Sequence, residues 1–205
     1  MNFRRDCEPS LLSWHPHNRI LVVGWEDGKI SLWNDNEKKA KEPSQVHEAK
    51  IRFLKWSDAG DRLISGDEKG TVAVWFAEKG NLSLICKYQR DGTPQTQCVF
   101  RNTGEKNDNG VFYFGGDKGI VYIADDTGSV RQTLTIGDLS PIGYLFYSPE
   151  KDSLVVVSKT SLLYVFKVTH DGKSEQVKKV KIYFFKRICS NFFQAEIFFF
   201  YGEFV

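Results

Sequence analysis

The sequence is short of most of the features that chemistry is built from. Its four cysteines, Cys7, Cys86, Cys98 and Cys189, lie far apart in no paired spacing, which argues against a disulfide framework or a thiolate zinc site. Charge of one sign is nearly absent: 28 basic against 26 acidic residues leave a net +2, so no overall field draws nucleic acid or an acidic membrane. No apolar run reaches the roughly 18 residues of a membrane-crossing helix. The N-terminal MNFRRDCEPSLLSWHP holds basic residues but no apolar stretch of signal-peptide length. A reducing, intracellular compartment is the resulting expectation. No nucleophile elbow, Cys-x-x-Cys or His-Glu-x-x-His occurs, so an enzyme reading has nothing to attach to, and no cofactor or metal is expected. What remains, 205 residues of which 41% are hydrophobic and 14% aromatic, suits a folded domain with a sizeable core.

What is present is a repeat. LLSWHPHNRILVVGWEDGKISLWN, from Leu11 to Asn34, has a run ending in Trp14, a turn, an apolar run Ile20 to Val23, a turn with Asp27 and Gly28, and an alternating run ending in Trp33. That order reads as three short antiparallel strands joined by tight turns. IRFLKWSDAGDRLISGDEKGTVAVW repeats it 42 residues later: Trp14 becomes Trp56, Gly28 becomes Gly70 and Trp33 becomes Trp75. A third copy, Thr96 to Asp125, brings Gly119 49 residues after Gly70, because the polar stretch Asn102 to Gly110 is inserted in a turn, where lengthening is tolerated. In a fourth, Pro141 to Val168, Tyr147 and Phe166 stand 19 apart, as do Trp56 and Trp75 in the second copy and Trp14 and Trp33 in the first. Gly80 to Gln89 and the segment after a turn at Asp171-Gly172 fit outer fourth strands, and Asp35 to Lys50 reads as a solvated connector with room for a short one. This is the arithmetic of an all-β, WD40-type β-propeller, partial, with about four antiparallel blades of a larger ring. Residues 1–8 read as a polar tail, 9–181 as the partial propeller and 182–205 as an atypical aromatic-rich tail. In Thr71–Trp75, Val72 and Val74 should face one way and Ala73 and Trp75 the other. Loss of Trp33 or Trp75 should hurt the fold more than any surface change. Four blades of a larger ring would leave two open flanks, so the chain is expected to associate with itself, with chaperones or with assembly partners.

The remaining clusters have bland readings that are preferred to their chemical ones. His15 and His17, with Cys7 upstream, lack a fourth zinc ligand nearby, and His47 reads as a backbone-bonding propeller histidine rather than a base. Gly115-Gly116-Asp117-Lys118-Gly119 lies between two strands without the helix a phosphate loop needs. Asp125-Asp126-Thr127-Gly128 lacks the later glutamate of a calcium loop. The charged stretches Glu37 to Glu42 and Gly104 to Asn109 read as solvated surface, with partner contact as the alternative. From about Ile182 the composition changes: eight of the sixteen phenylalanines fall in 24 residues. Lys186, Arg187, Asn191, Gln194 and Glu196 interrupt this stretch, and its bias to Phe, Tyr, Ile, Lys and Asn resembles translated A/T-rich non-coding sequence, as from a read-through intron or misjoined exon.

LLSWHPHNRILVVGWEDGKISLWN, HEAKIRFLKWSDAGDRLISGDEKGTVAVW, QCVFRN, LFYSPEKDSLVVVS and DGKSEQVKKVKI, in that order, resemble the N-terminal WD40 propeller of the intraflagellar transport protein 140 family, over roughly Leu11 to Lys181. The resemblance implies a non-enzymatic scaffold of intraflagellar transport complex A, acting in retrograde ciliary transport and in membrane-protein entry into cilia. Its partners would be other complex A subunits and ciliary cargo adaptors, and its location the cilium, ciliary basal body and cytoplasm or cytoskeleton. Full-length members also carry an initial blade, closing blades, a second propeller and a helical array. A generic peptide-binding WD40 adaptor is the alternative. Of the His, Ser or Thr, Asp and Trp tetrad usual in WD40 blades, Trp33 and Trp75 stand at the tryptophan position, Asp27 and His47 look like single members, and Lys69 sits where the second blade would want aspartate.

Overall fold

The computed structural model describes residues 6–89, 92–102, 110–168 and 174–181. The 182–205 tail, the Asp171-Gly172 turn and the stretch Gly104 to Asn109 lie outside the described residues. Among the described residues, sixteen strands form four antiparallel sheets of four, each a meander of sequential neighbours. Blade 1 holds β1 (Pro9–Trp14), β2 (Ile20–Trp25), β3 (Ile30–Asn34) and β4 (Lys39–Lys41). Blade 2 holds β5 (Ile51–Trp56), β6 (Arg62–Asp67), β7 (Thr71–Glu78) and β8 (Asn81–Gln89). Blade 3 holds β9 (Gln95–Phe100), β10 (Phe112–Gly116), β11 (Ile120–Ala124) and β12 (Val130–Thr135). Blade 4 holds β13 (Ile142–Ser148), β14 (Ser153–Ser158), β15 (Leu162–Val168) and β16 (Ser174–Lys181). The architecture is the partial, all-β propeller the repeat predicts. β12, which the repeat left unassigned, pairs antiparallel with β11, and a bulge beside Ala124 sends Val130 to the layer shared with blade 2 and Leu134 to the layer shared with blade 4.

The core is a series of interblade layers rather than a single centre. Because neighbouring side chains on a strand point to opposite faces, each blade offers one face to the blade before it and one to the blade after. Between blades 1 and 2 lie Val22, Leu32, Leu63, Ala73 and Trp75. Between blades 2 and 3 lie Phe53, Ile64, Val72, Val74, Phe112 and Phe114. Between blades 3 and 4 lie Tyr113, Ile123, Tyr147, Leu154 and Phe166. The strand β7 thus divides its side chains between two layers, Ala73 and Trp75 toward blade 1 and Val72 and Val74 toward blade 3. Each junction also carries an ion pair: Lys50–Glu26 at 2.5 Å, Arg62–Asp126 at 3.2 Å and Arg101–Asp152 at 3.2 Å.

The tryptophans are not equivalent. Trp75 is fully buried, whereas Trp33 is only half-buried and Trp14 is exposed, because the face of blade 1 that carries them has no blade against it. Trp33 is thus less covered than its counterpart Trp75, and the buried indole of blade 1 is Trp25, which donates to Ser31 Oγ at 2.9 Å.

The turn glycines mark the same step in each blade. Gly28, Gly70 and Gly119 have φ of 82°, 86° and 65°, and their N–H groups close turns onto the carbonyls of Trp25, Asp67 and Gly116. Ser161 holds that place in blade 4, with φ 65° and its N–H on Ser158 O. The turn survives there without glycine, in a conformation that a Cβ penalises.

Candidate functional site

Two sites gather polar groups inside this apolar frame. The first is a brace within blade 2. His47, in the loop entering the blade, sits with Nδ1 3.0 Å from Asp67 Oδ2 and Nε2 2.6 Å from Ser65 Oγ, and Trp75 Nε1 donates to the same Oγ at 2.8 Å. Thr71 N–H donates to Asp67 Oδ1 at 2.9 Å. Burial alone would raise the Asp67 carboxyl, but the hydrogen bonds from His47 and Thr71 outweigh it and hold Asp67 below the ordinary carboxylate range. The tetrad of blade 2 is therefore complete. Its acid is Asp67, at the end of β6, and not a residue at position 69, where Lys69 points outward to Glu48. Asp27 does not join a histidine either: its carboxylate accepts from Lys29 N–H at 3.0 Å and closes its own turn.

An aspartate, a histidine and a serine in line have the connectivity of a hydrolase triad, yet this one cannot act as one. All three side chains are buried, and Ser65 Oγ already accepts the indole N–H, so no substrate carbonyl can reach it. The group ties the loop before blade 2 to its second and third strands.

Ninety-one residues on, blade 4 fills the same places with different chemistry: Asp138 replaces His47 and Ser158 replaces Asp67. Asp138 Oδ2 accepts from Ser140 Oγ at 2.6 Å and Thr160 Oγ1 at 2.5 Å, and Oδ1 accepts from Tyr164 O–H at 2.8 Å. Burial pushes this carboxyl up, and the hydroxyls of Ser140, Thr160, Tyr164 and Ser158 more than reverse it, leaving Asp138 well below its usual range. Sequence reasoning missed this brace because an Asp, a Ser and a Tyr match no motif; only the constant offset from His47 points to it.

The second site lies where the inner strands of all four blades converge. A cavity of about 320 Å³ is lined by Ser10 on β1, Ile51 and Arg52 on β5, Thr96 and Gln97 on β9, and Ile142 on β13. Lys50 and Lys159 complete its rim. Its charge is basic, although Glu26 hydrogen-bonds Lys50 and raises its ammonium above the ordinary lysine range, and Glu68 pairs with Arg52 at 3.1 Å. Ser10 Oγ and Thr96 Oγ1 are buried here without a hydrogen-bond partner in the structure. Such a site can hold an extended or acidic peptide segment.

The histidines near the N-terminus serve the turn between β1 and β2. His15 Nδ1 accepts from His17 N–H and Asn18 N–H, both at 3.0 Å, while its ring lies 4.8 Å from that of Trp56. Among the described residues no group of three or more His, Cys, Asp or Glu is placed to hold a metal ion, and no helix is long and apolar enough to cross a membrane. Gly116 to Gly119 is a hairpin turn, and Asp125 closes another by accepting from Thr127 N–H at 2.9 Å and Arg131 Nε at 2.6 Å.

Compared with known proteins, residues 1–111 and 105–187 match the family model described as the IFT140 first beta-propeller. The chain belongs to that family. Likenesses extend to other proteins: the polyadenylation factor subunit 2 of Candida albicans is 34% identical over 74 residues, 36% of this chain and 14% of that protein. The SIR4-interacting protein SIF2 of Saccharomyces cerevisiae is 22% identical over 169 residues, 78% of this chain and 31% of that one. Among solved structures, Sqt1 from Chaetomium thermophilum superposes with a TM-score of 0.70 at 17% identity, covering 85% of this chain and 46% of its own. The same protein bound to the N-terminus of ribosomal protein L10 gives 0.66 at 17% identity, covering 83% and 49%. The family member described here thus spans less than a third of those curated relatives and about half of the solved propeller chains. Its likeness to Sqt1 is one of fold.

Proposed function

We propose that this propeller is a non-enzymatic scaffold component of intraflagellar transport complex A, acting in retrograde ciliary transport and ciliary membrane-protein trafficking at the cilium and basal body. The observation that carries the reading is the family match, which runs through all four blades. The chemistry of the described residues agrees with it: the triad-like cluster of blade 2 is entombed, and the accessible polar site is a rim suited to polypeptide. The partners are other complex A subunits and cargo adaptors. The test is affinity purification of the tagged 205-residue chain from ciliated cells, read by mass spectrometry. Co-recovery of complex A subunits is the expected result; a folded chain that recovers none of them overturns the reading.

A second reading is favoured by the basic axial cavity with its two orphaned hydroxyls: a peptide-binding WD40 adaptor without a ciliary role. The solved Sqt1 complex holds the N-terminus of a ribosomal protein, which is a property of that protein. A peptide array separates the two readings when combined with Arg52→Glu. Acidic peptides retained by the chain and lost by the variant support the adaptor, and indifference to the charge reversal removes it.

A further inference from the structure

The inner strand of each described blade breaks its register once, near its start. In blades 1 and 2, Pro9 pairs with Trp25 but Leu11 with Gly24, and Ile51 with Asp67 but Phe53 with Gly66. In blades 3 and 4, Gln95 pairs with Gly116 but Gln97 with Gly115, and Ile142 with Ser158 but Tyr144 with Val157. Each time one residue is left over: Ser10, Arg52, Thr96 and Gly143. A bulge of this kind takes its extra residue out of the alternation of the strand and re-aims it. All four residues line the axial cavity, although they come from four different blades. The device is built into the repeat. Arg52 stands 42 residues after Ser10 and Gly143 91 after Arg52. Gly24, Gly66 and Gly115 face the residue after the bulge, where a Cβ would collide with Ile51, Phe53 and Ile142.

The position is constant but its chemistry is not: a hydroxyl, a guanidinium, a second hydroxyl and no side chain. Ser10 Oγ and Thr96 Oγ1 are buried without a hydrogen-bond partner, so each keeps a donor to offer after a rotation about χ1. Arg52 spends one nitrogen on Glu68 and has others to give. Gly143 leaves its place open, since a Cβ there would meet nothing closer than Val157 O at 3.4 Å and Lys159 Cγ at 3.8 Å. Lys50 and Arg52 are each matched by a glutamate, whereas Lys159 has no ion-pair partner among the described residues. One positive charge is thereby unmatched, which suits a carboxylate better than the nearly double charge of a phosphate group. A volume of about 320 Å³ lies at the small end of ligand sites and admits a side chain rather than a folded module.

We propose that the four bulge positions form a subsite for a single acidic side chain of an extended polypeptide. The side chain enters over Gly143, its carboxylate pairs with Arg52 and Lys159, and Ser10 and Thr96 donate to it. Arg52 sets the selectivity for an acid, and Gly143 supplies the room to admit it. The inference deepens the reading of the axial cavity as a peptide site and rests on it.

The probe is the acidic peptide that the 205-residue chain retains most strongly on an array, labelled and titrated by fluorescence anisotropy. Copies of it carry Asn or Gln in place of each Asp or Glu in turn. One copy should bind roughly tenfold more weakly, and the others about as well as the parent peptide. Arg52→Gln should weaken the parent peptide by a like factor and leave that one copy unaffected, because the pair is then already broken. Gly143→Trp fills the open place and should abolish binding while circular dichroism stays that of the parent protein. Lys79→Gln, which removes a charge from the turn between β7 and β8, should change nothing. An array that retains no peptide removes the peptide reading itself, and the subsite with it. Loss spread evenly over the acidic positions, or binding that survives Gly143→Trp, keeps that reading and overturns this one. So does inorganic phosphate that displaces the peptide where acetate at the same concentration does not.

Discussion

The residue that most rewards attention is His47, because its removal separates a buried brace from a surface ornament. His47→Ala would leave the Asp67 carboxylate buried with Thr71 as its remaining donor, and would leave Ser65 to bond the indole of Trp75 alone. Taking away the partner of a buried hydrogen bond to a carboxylate costs about 2–3 kcal/mol. Lys69→Asp, which installs the acid that the WD40 pattern asks for, should change stability by less than about 0.5 kcal/mol, since the position is exposed and Asp67 already does the work. Urea denaturation of the two variants beside the parent measures both. Acid provides a second test at this scale. Asp67 and Asp138 both have folded-state values below that of the unfolded chain, so their contribution is whole above the ordinary carboxylate range and is lost as the pH falls through the depressed values. The melting temperature should be level above about pH 5 and fall steadily below about pH 4. Asp138→Asn should be less stable than the parent at neutral pH, and the gap should narrow on acidification; a gap that stays constant to low pH would show that the carboxylate's charge contributes nothing.

At the scale of the element, the turn between second and third strands shows how far the sequence can be read. The offsets of Trp14, Trp56 and Tyr147, with those of Gly28, Gly70 and Gly119, place the first three strands of all four blades but not β12, because a blade must put its turns and apolar alternation at fixed distances to lean on its neighbour. What stayed hidden has identifiable causes. The acid of the brace was sought next to Gly70, where such blades usually carry it, but the chain puts Asp67 at the strand end, within reach of the same imidazole from another direction. The Asp138 cluster was invisible because hydroxyl donors 22 and 26 residues away leave no local pattern. Trp33 and Trp75 share a repeat position, yet their burial is set by whether another blade follows, which no single repeat records. The fourth copy of the turn carries its own prediction. Ser161 adopts φ 65° where the other three blades use glycine, and the left-handed region costs a side chain roughly 1–2 kcal/mol, partly offset by the freedom glycine adds to the unfolded chain. Ser161→Gly should therefore stabilise the protein by roughly 0.5–1 kcal/mol, read as a higher denaturation midpoint with an unchanged slope. Gly70→Ser should move the midpoint the other way.

For the whole molecule, the argument is about where stability resides in a quasi-linear array. Each blade is held by layers shared with its neighbours, so a blade covered on both faces has two sources of stability and a terminal blade has one. Blades 2 and 3 are covered on both sides, and blades 1 and 4 on one. Amide exchange in the dilute chain should accordingly be slowest in β6, β7, β10 and β11 and faster in the equivalent strands β2, β3, β14 and β15. Uniform exchange across all four blades would mean that the arc opens as one unit, and the layered account of its stability would then fall.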